Sequence, residues 1–313
     1  MRLAFFGTPE YAVPSLLALL GEGFEVVVVI TQPDRPRGRS HSELVPPPVK
    51  VTATGEGIPV LQPEQPFAPE FIETLRTYAP DLGAVVAYGH ILRPQLLSLP
   101  AHGMVNVHGS LLPKLRGAAP VQHAILSGLA ETGVSIMQMD EGMDTGPVLL
   151  RVPTPIPPDE TAGELTVRLA ELGALALVEA LGLIAAGAAA AEPQDHAQAT
   201  YAPKITHELA RIRWTDPAQA IARLVRAMDP RPGAWCLHHG RELKLFGPRA
   251  PRALDVLPEG TPPGRVVQTD PAFTVTTGRG ALEFGDVQPA GRNRMGAREW
   301  VRGRGGAVGD VLE

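Results

Sequence analysis

Two side chains suited to chemistry close one short apolar segment. In "GMVNVHG" (residues 103–109), Asn106 and His108 stand two positions apart, so on a strand they share a face. An amide can donate a hydrogen bond to an oxygen that gains negative charge, and an imidazole can donate or carry a proton. The following "SLLPKLRGAAP" is turn-rich and is expected to wrap over the strand end with two bare cations, Lys114 and Arg116. A second Gly-rich stretch, "MQMDEGMDTGPVLL" (137–150), supplies Asp140 and Asp144. Asp144 could orient the imidazole or help take a proton from an amine; equally, Asp-Thr-Gly-Pro could be a plain turn. Amide, imidazole and carboxylate together form a set for acyl transfer. There is no nucleophile elbow of Ser or Cys type, so direct transfer between two substrates is expected. The nine His and the carboxylates show no ligand spacing, and no metal is expected.

These residues need strand ends to hold them. "LAFFG" (3–7), "EVVVVIT" (25–31), "PVLQ" (59–62), "LGAVVAYG" (82–89), "GMVNVHG" and "TGVSIMQM" (132–139) read as buried strands alternating with helical patterns. Continuous Val/Ile runs indicate coverage on both faces, hence an α/β Rossmann-like open, mostly parallel sheet that binds ligands at strand carboxyl ends. Thr8 is expected to cap the first helix, with Pro9 at its first position. The first turn, "FFGTPEYA", has one glycine where a dinucleotide fingerprint needs three, which argues against a nicotinamide cofactor. The apolar run 172–191 contains Glu179 and reads as a long amphipathic helix rather than a membrane span. From about 188 to 205 the chain loses periodicity and reads as a linker. Beyond it, a helix over 216–229 with Asp216 as N-cap precedes short β-branched segments separated by Gly turns, the pattern of a small β-barrel of OB-like type. The expected domains are therefore 1–187 and 206–313.

The 313 residues are 44% hydrophobic and 19% charged, as in folded proteins, with net charge −5. That charge is uneven: residues 201–313 carry 17 Lys+Arg against 12 Asp+Glu, so the excess of acid lies in the first 200. The second part could face a polyanion, although the Arg-rich skew also fits plain genomic composition. A single cysteine, Cys236 in "GAWCL", is expected to be a buried structural thiol in a reducing, cytoplasmic compartment.

The stretches "FFGTPEYAVPSL", "TQPDRPRGR", "VVAYGHIL", "NVHGSLLPKLRGAAP" and "GVSIMQMDEGMDTGPVL", with "ITHELARIRWT" and "RAMDPRPGAW" further on, together resemble the methionyl-tRNA formyltransferase family essentially end to end. The resemblance implies formyl transfer from 10-formyltetrahydrofolate to the amine of methionyl initiator tRNA, with Asn106, His108 and Asp144 as the catalytic set. It places the folate along Ser110, Leu111, Leu112 and Pro113, against Tyr88, Gly89 and Asp140. It assigns the 32–48 loop, with Arg35, Arg37 and Arg39, to the tRNA acceptor stem, and the second domain to tRNA binding. Basic residues usually follow that last arginine in the family; here "SHSE", with Ser40, His41 and Glu43, makes the loop less cationic. No membrane and no obligate protein partner are implied. The alternative is an amino-sugar nucleotide formyltransferase using the same donor, whose acceptor would not need the 32–48 loop.

Overall fold

The computed structural model describes residues 1–37, 43–250 and 260–313. The chain forms two compact units. One comprises Met1–Pro120, Glu131–Pro155 and Thr166–Pro203; the other comprises Val121–Ala130, Ile156–Leu165 and Lys204–Glu313.

The first unit contains nine described strands: β1 (Arg2–Gly7), β2 (Glu25–Ile30), β3 (Arg35–Arg37), β4 (Glu43–Val45), β5 (Val60–Leu61), β6 (Leu82–Val86), β7 (Met104–His108), β8 (Glu131–Gln138) and β9 (Val148–Pro155). Seven form one sheet in the order β5-β2-β1-β6-β7-β8-β9. Pairing is parallel from β5 to β7 and antiparallel from β7 to β9. The sheet is thus mostly parallel and Rossmann-like, with an antiparallel edge. A buried cluster that includes Phe6, Ile30, Leu75, Leu96 and Met104 packs against the sheet. The helix Ala162–Ala185 starts ten residues before the apolar run that announced it. Its Gly173 lets it approach β7 closely: a Cβ there would lie 2.8 Å from Val107 Cγ1. Val107 points away from the face of Asn106 and His108, so this contact seats the strand from behind.

Two helix starts differ from the sequence expectation. Thr8 does not cap; its hydroxyl donates to Tyr88 O (2.9 Å) and tethers the β1 and β6 ends, while Pro9 is the N-cap of a short 3-10 turn at Glu10–Ala12. The later helix runs Ala218–Met228 with Pro217, not Asp216, at its N-cap. No helix among the described residues is long and apolar enough to cross a membrane.

The second unit carries β10 (Ala234–His238), β11 (Arg241–Arg249), β12 (Val266–Gln268), β13 (Phe273–Thr276), β14 (Ala281–Pro289) and β15 (Met295–Gly296). They form an antiparallel sheet in the order β10-β11-β14-β13-β12, with β15 on β14. Residues 310–313 close it: Val311 bridges Arg265, beside β12, and Leu312 bridges His238 at the end of β10. Cys236 is buried inside, and its burial pushes the thiol far above its ordinary pKa.

Candidate active site

Asn106 and His108 lie on one face at the carboxyl end of β7, where β7 has β6 on one side and β8 on the other. Their circumstances differ. His108 is 5% exposed and its Nε2–H donates to Leu115 O at 3.0 Å. A backbone carbonyl only accepts, so this bond fixes the tautomer: the neutral ring carries its proton on Nε2 and an open lone pair on Nδ1. Nδ1 lies 3.7 Å from Asp144 Oδ2. That distance is long for a direct hydrogen bond but close enough for the carboxylate to stabilise an imidazolium. Asn106 is half-buried, and among the described residues no hydrogen bond holds its carboxamide. It keeps a donor available.

Asp144 sits in the left-handed region (φ +54°), which a short polar side chain tolerates. Its Oδ2 accepts the Gly117 N–H at 2.8 Å. The plain turn role offered as the alternative for Asp144 is played by Asp140. Its exposed carboxylate accepts from Gly142 N–H (3.0 Å) and Thr145 Oγ1–H (2.7 Å), folding the loop upon itself. Gly146 is obligatory beneath it, because a Cβ there would come within 1.9 Å of Gln138 O.

The two cations after β7 are not both bare. Arg116 is 2% exposed, and its guanidinium donates to Gln194 Oε1 from Nη2 (2.7 Å) and Nε (3.2 Å), with His196 Nδ1 at 3.1 Å. Lys114 is exposed. Gln194 then spends its amide donors on Asp144 O (2.9 Å) and Gly146 O (2.7 Å). Thr200 Oγ1 accepts the Leu115 N–H at 2.9 Å, and the 116 and 202 backbones pair. The segment read as a featureless linker therefore fastens both loops that carry the site. No local signal announces Gln194, because its partners lie 48 to 78 residues away.

The remaining candidates serve partly as scaffold. Ser110 is buried, and its hydroxyl donates to Lys114 O at 2.6 Å. Ser135 Oγ–H donates to Ser110 O (2.7 Å) and accepts the Leu112 N–H (3.0 Å). Leu112 packs with Met137 and Val148, while Leu111 and Pro113 are half-buried. Tyr88 is 2% exposed against Phe6, and burial pushes its phenol up to about 12. Gly89 (φ +87°) leaves room for Gln32, whose Nε2–H donates to Tyr88 O at 3.1 Å.

Gln32 also accepts from Arg35, which stands exposed on the β3–β4 hairpin. Arg37 pairs with Glu43 through the backbone of that hairpin, and Arg39 lies outside the described residues. Asp34 anchors the hairpin base. Hydrogen bonds from Gln62 and Lys50 hold its carboxyl below the usual range.

Residues 1–181 match the Formyl transferase family and residues 204–305 match the family described as Formyl transferase, C-terminal domain. The methionyl-tRNA formyltransferase of Moorella thermoacetica is 47% identical over 315 residues, covering 100% of this chain and 99% of that protein. Among solved structures, HypX from Aquifex aeolicus in complex with tetrahydrofolic acid superimposes with a TM-score of 0.68 at 20% identity, covering 96% of this chain and 47% of that one. The N-formyltransferase of Helicobacter canadensis, in complex with folinic acid and dTDP-3-aminofucose, gives 0.68 at 18% identity, covering 92% of this chain and 99% of that one. Matches that take in both units, and a relative aligned along the whole chain, make this protein a member of the formyl transferase family.

Proposed function

We propose that the chain transfers a formyl group from 10-formyltetrahydrofolate to the α-amine of methionine on initiator tRNA, in the cytoplasm. The convergence of a free amide, a tautomer-locked imidazole and a pinned carboxylate on one strand end carries this reading. Full-length identity to a protein named methionyl-tRNA formyltransferase supports the acceptor, and the folate compounds in the two structural neighbours support the donor. The folate lies along Ser110–Pro113 beside Tyr88–Gly89 and the Asp140 loop. Because the Ser110 hydroxyl is occupied, that segment contributes backbone groups and apolar surface.

The amine nitrogen attacks the formyl carbon, and the carbonyl oxygen becomes an oxyanion facing the Asn106 carboxamide. Preorganised donors of this kind supply the largest electrostatic share of such barriers. With Nε2–H committed to Leu115 O, His108 meets the reaction through Nδ1, which accepts the amine's surplus proton. Asp144 stabilises the resulting imidazolium. That Nδ1–H can then donate toward the oxyanion. As the carbon–N10 bond breaks, N10 of the folate takes the same proton, and the ring returns to its starting state.

Residues 1–187 act as the folate-binding catalytic part. Residues 206–313, with the excess of cations, bind tRNA together with Arg35, Arg37 and Arg39. The test is one incubation of labelled formyl donor with charged initiator tRNA, an amino-sugar nucleotide and glycinamide ribonucleotide. Label on the tRNA alone supports the assignment; label on the sugar nucleotide replaces it.

A further inference from the structure

The seam that closes the second unit brings together three side chains of metal-ligating type. His238 ends β10, His239 opens the turn to β11, and Asp310 begins the closing segment. Leu237 N–H donates to Glu313 O (2.7 Å), Glu313 N–H donates back to Leu237 O (2.9 Å), and Val266 N–H donates to Asp310 O (2.9 Å). Residues 310–313 thus hold the two edges of the sheet together. Asp310 Oδ2 lies 2.9 Å from His238 Nε2 and 3.9 Å from His239 Nε2. All three ligating atoms fall within 4.8 Å of one another, and among the described residues no other three His, Cys, Asp or Glu converge in this way.

We propose that His238, His239 and Asp310 bind a divalent first-row transition ion, zinc foremost, which pins residues 310–313 across the seam of the barrel. Tetrahedral zinc with bonds of about 2.0–2.2 Å needs ligand atoms roughly 3.3–3.5 Å apart, and the two observed separations bracket that value. Two of the ligands are already positioned. The His238 side chain is 11% exposed, with its ring edge-on to Trp300 at 5.3 Å. The carboxylate of Asp310 also accepts the Ala307 N–H at 2.9 Å, the kind of outer contact that orients a ligand. His239, 72% exposed, has the freedom to swing onto the ion. Its backbone is set for this by the turn, where φ is +49°.

The ring nitrogens select the metal, since imidazole suits zinc, nickel and copper, whereas magnesium and calcium prefer oxygen alone. A cleft of about 400 Å³ lined by His238, His239, Glu242 and Arg292 opens beside the two histidines. In the metal-free protein the Nε2–H of His238 donates to Asp310. In the loaded site that nitrogen binds the ion and the ring carries its proton on Nδ1. Sequence spacing conceals the group, because Asp310 lies 72 residues from His238.

The test uses untagged full-length protein stripped by a chelator, titrated with Zn²⁺ by calorimetry and with Co²⁺ by visible absorption. Expected are one equivalent bound with micromolar or tighter affinity, a tetrahedral Co²⁺ band, and a melting temperature that rises with free Zn²⁺. Mg²⁺ at the same concentration should leave the melting temperature unchanged. His239→Asn, which tolerates the left-handed turn and leaves the His238–Asp310 bond in place, should weaken Zn²⁺ binding at least about tenfold. Asp310→Asn should do the same. Absence of binding at millimolar Zn²⁺, or equal affinity in wild type and His239→Asn, overturns the proposal and leaves a hydrogen-bonded staple.

Discussion

Two loop regions of the first unit are held in opposite ways. Segments 109–119 and 139–147 are fastened at every turn: His108 to Leu115, Gly117 to Asp144, Ser110 to Lys114, and both segments to Gln194. The β3–β4 hairpin is anchored at its base through Asp34, yet it presents Arg35, Pro36 and Leu44 to solvent, Leu44 at 62% exposure. Chemistry gains from groups fixed before the substrate arrives, because reorganisation at the moment of reaction adds to the barrier. Recognition of a large polyanion instead tolerates a surface that adjusts on contact. On this account the first region sets kcat and the second sets the use of the acceptor.

The largest effect should come from the fixed region. Asn106→Ala removes a donor that no hydrogen bond among the described residues occupies, so the fold should be unaffected while kcat falls about 10²–10³-fold. Thermal melting beside steady-state kinetics checks both halves. A comparable loss in melting temperature would make Asn106 a packing residue instead.

Next comes Gln194, which couples Arg116 to the Asp144 loop. Gln194→Ala takes two hydrogen bonds from the buried Arg116 guanidinium, leaving it His196 Nδ1, at a cost of about 1–3 kcal/mol, and frees the loop. A displacement near 1 Å at the chemistry lowers kcat by on the order of 10². Gln194→Glu separates the two effects: the carboxylate keeps Arg116 but repels the carbonyls of Asp144 and Gly146. Stability should recover while kcat stays low. Full recovery of kcat would show that only Arg116 matters.

That coupling also marks where the sequence stops being readable. Asn106 and His108 were legible because period two along a strand is a local rule, and the Val/Ile runs exposed the sheet for the same reason. The antiparallel β7–β8 pairing was not, since strand direction leaves no trace in composition. Arg116 read as bare because its partners, Gln194 and His196, sit in an Ala/Pro/Gln stretch whose local pattern resembles a linker. Thr8 and Asp216 have the chemistry of helix caps, but tertiary contacts gave Thr8 another partner and a proline took the other cap. The triad of His238, His239 and Asp310 is visible only once residues 310–313 are seen closing the barrel.

A smaller effect is expected behind the strand. Gly173→Ala puts a methyl against Val107, and overpacking of this kind costs about 1–3 kcal/mol. Denaturant unfolding should register that loss, with kcat reduced only a few-fold if β7 shifts as a unit. Unchanged stability would mean that the helix yields instead of the strand.

The smallest effect should belong to the hairpin. Arg35→Ala should leave kcat and folate affinity intact and raise KM for charged initiator tRNA a few-fold. If Arg35 meets one phosphate, the log–log salt slope should flatten by roughly 0.7–0.9. Parallel salt lines of equal height would make the hairpin an ordinary surface loop.

In the proposed mechanism Asp144 acts by its charge on an imidazole already fixed by Leu115. Asp144→Asn keeps the shape and removes that charge. The decisive measurement is its single-turnover rate of formyl transfer to charged initiator tRNA, with folate affinity measured by calorimetry on the same preparation. The expected rate is lower by about 10²-fold or more, with folate affinity unchanged within a few-fold. A near-normal rate with normal folate binding would contradict it.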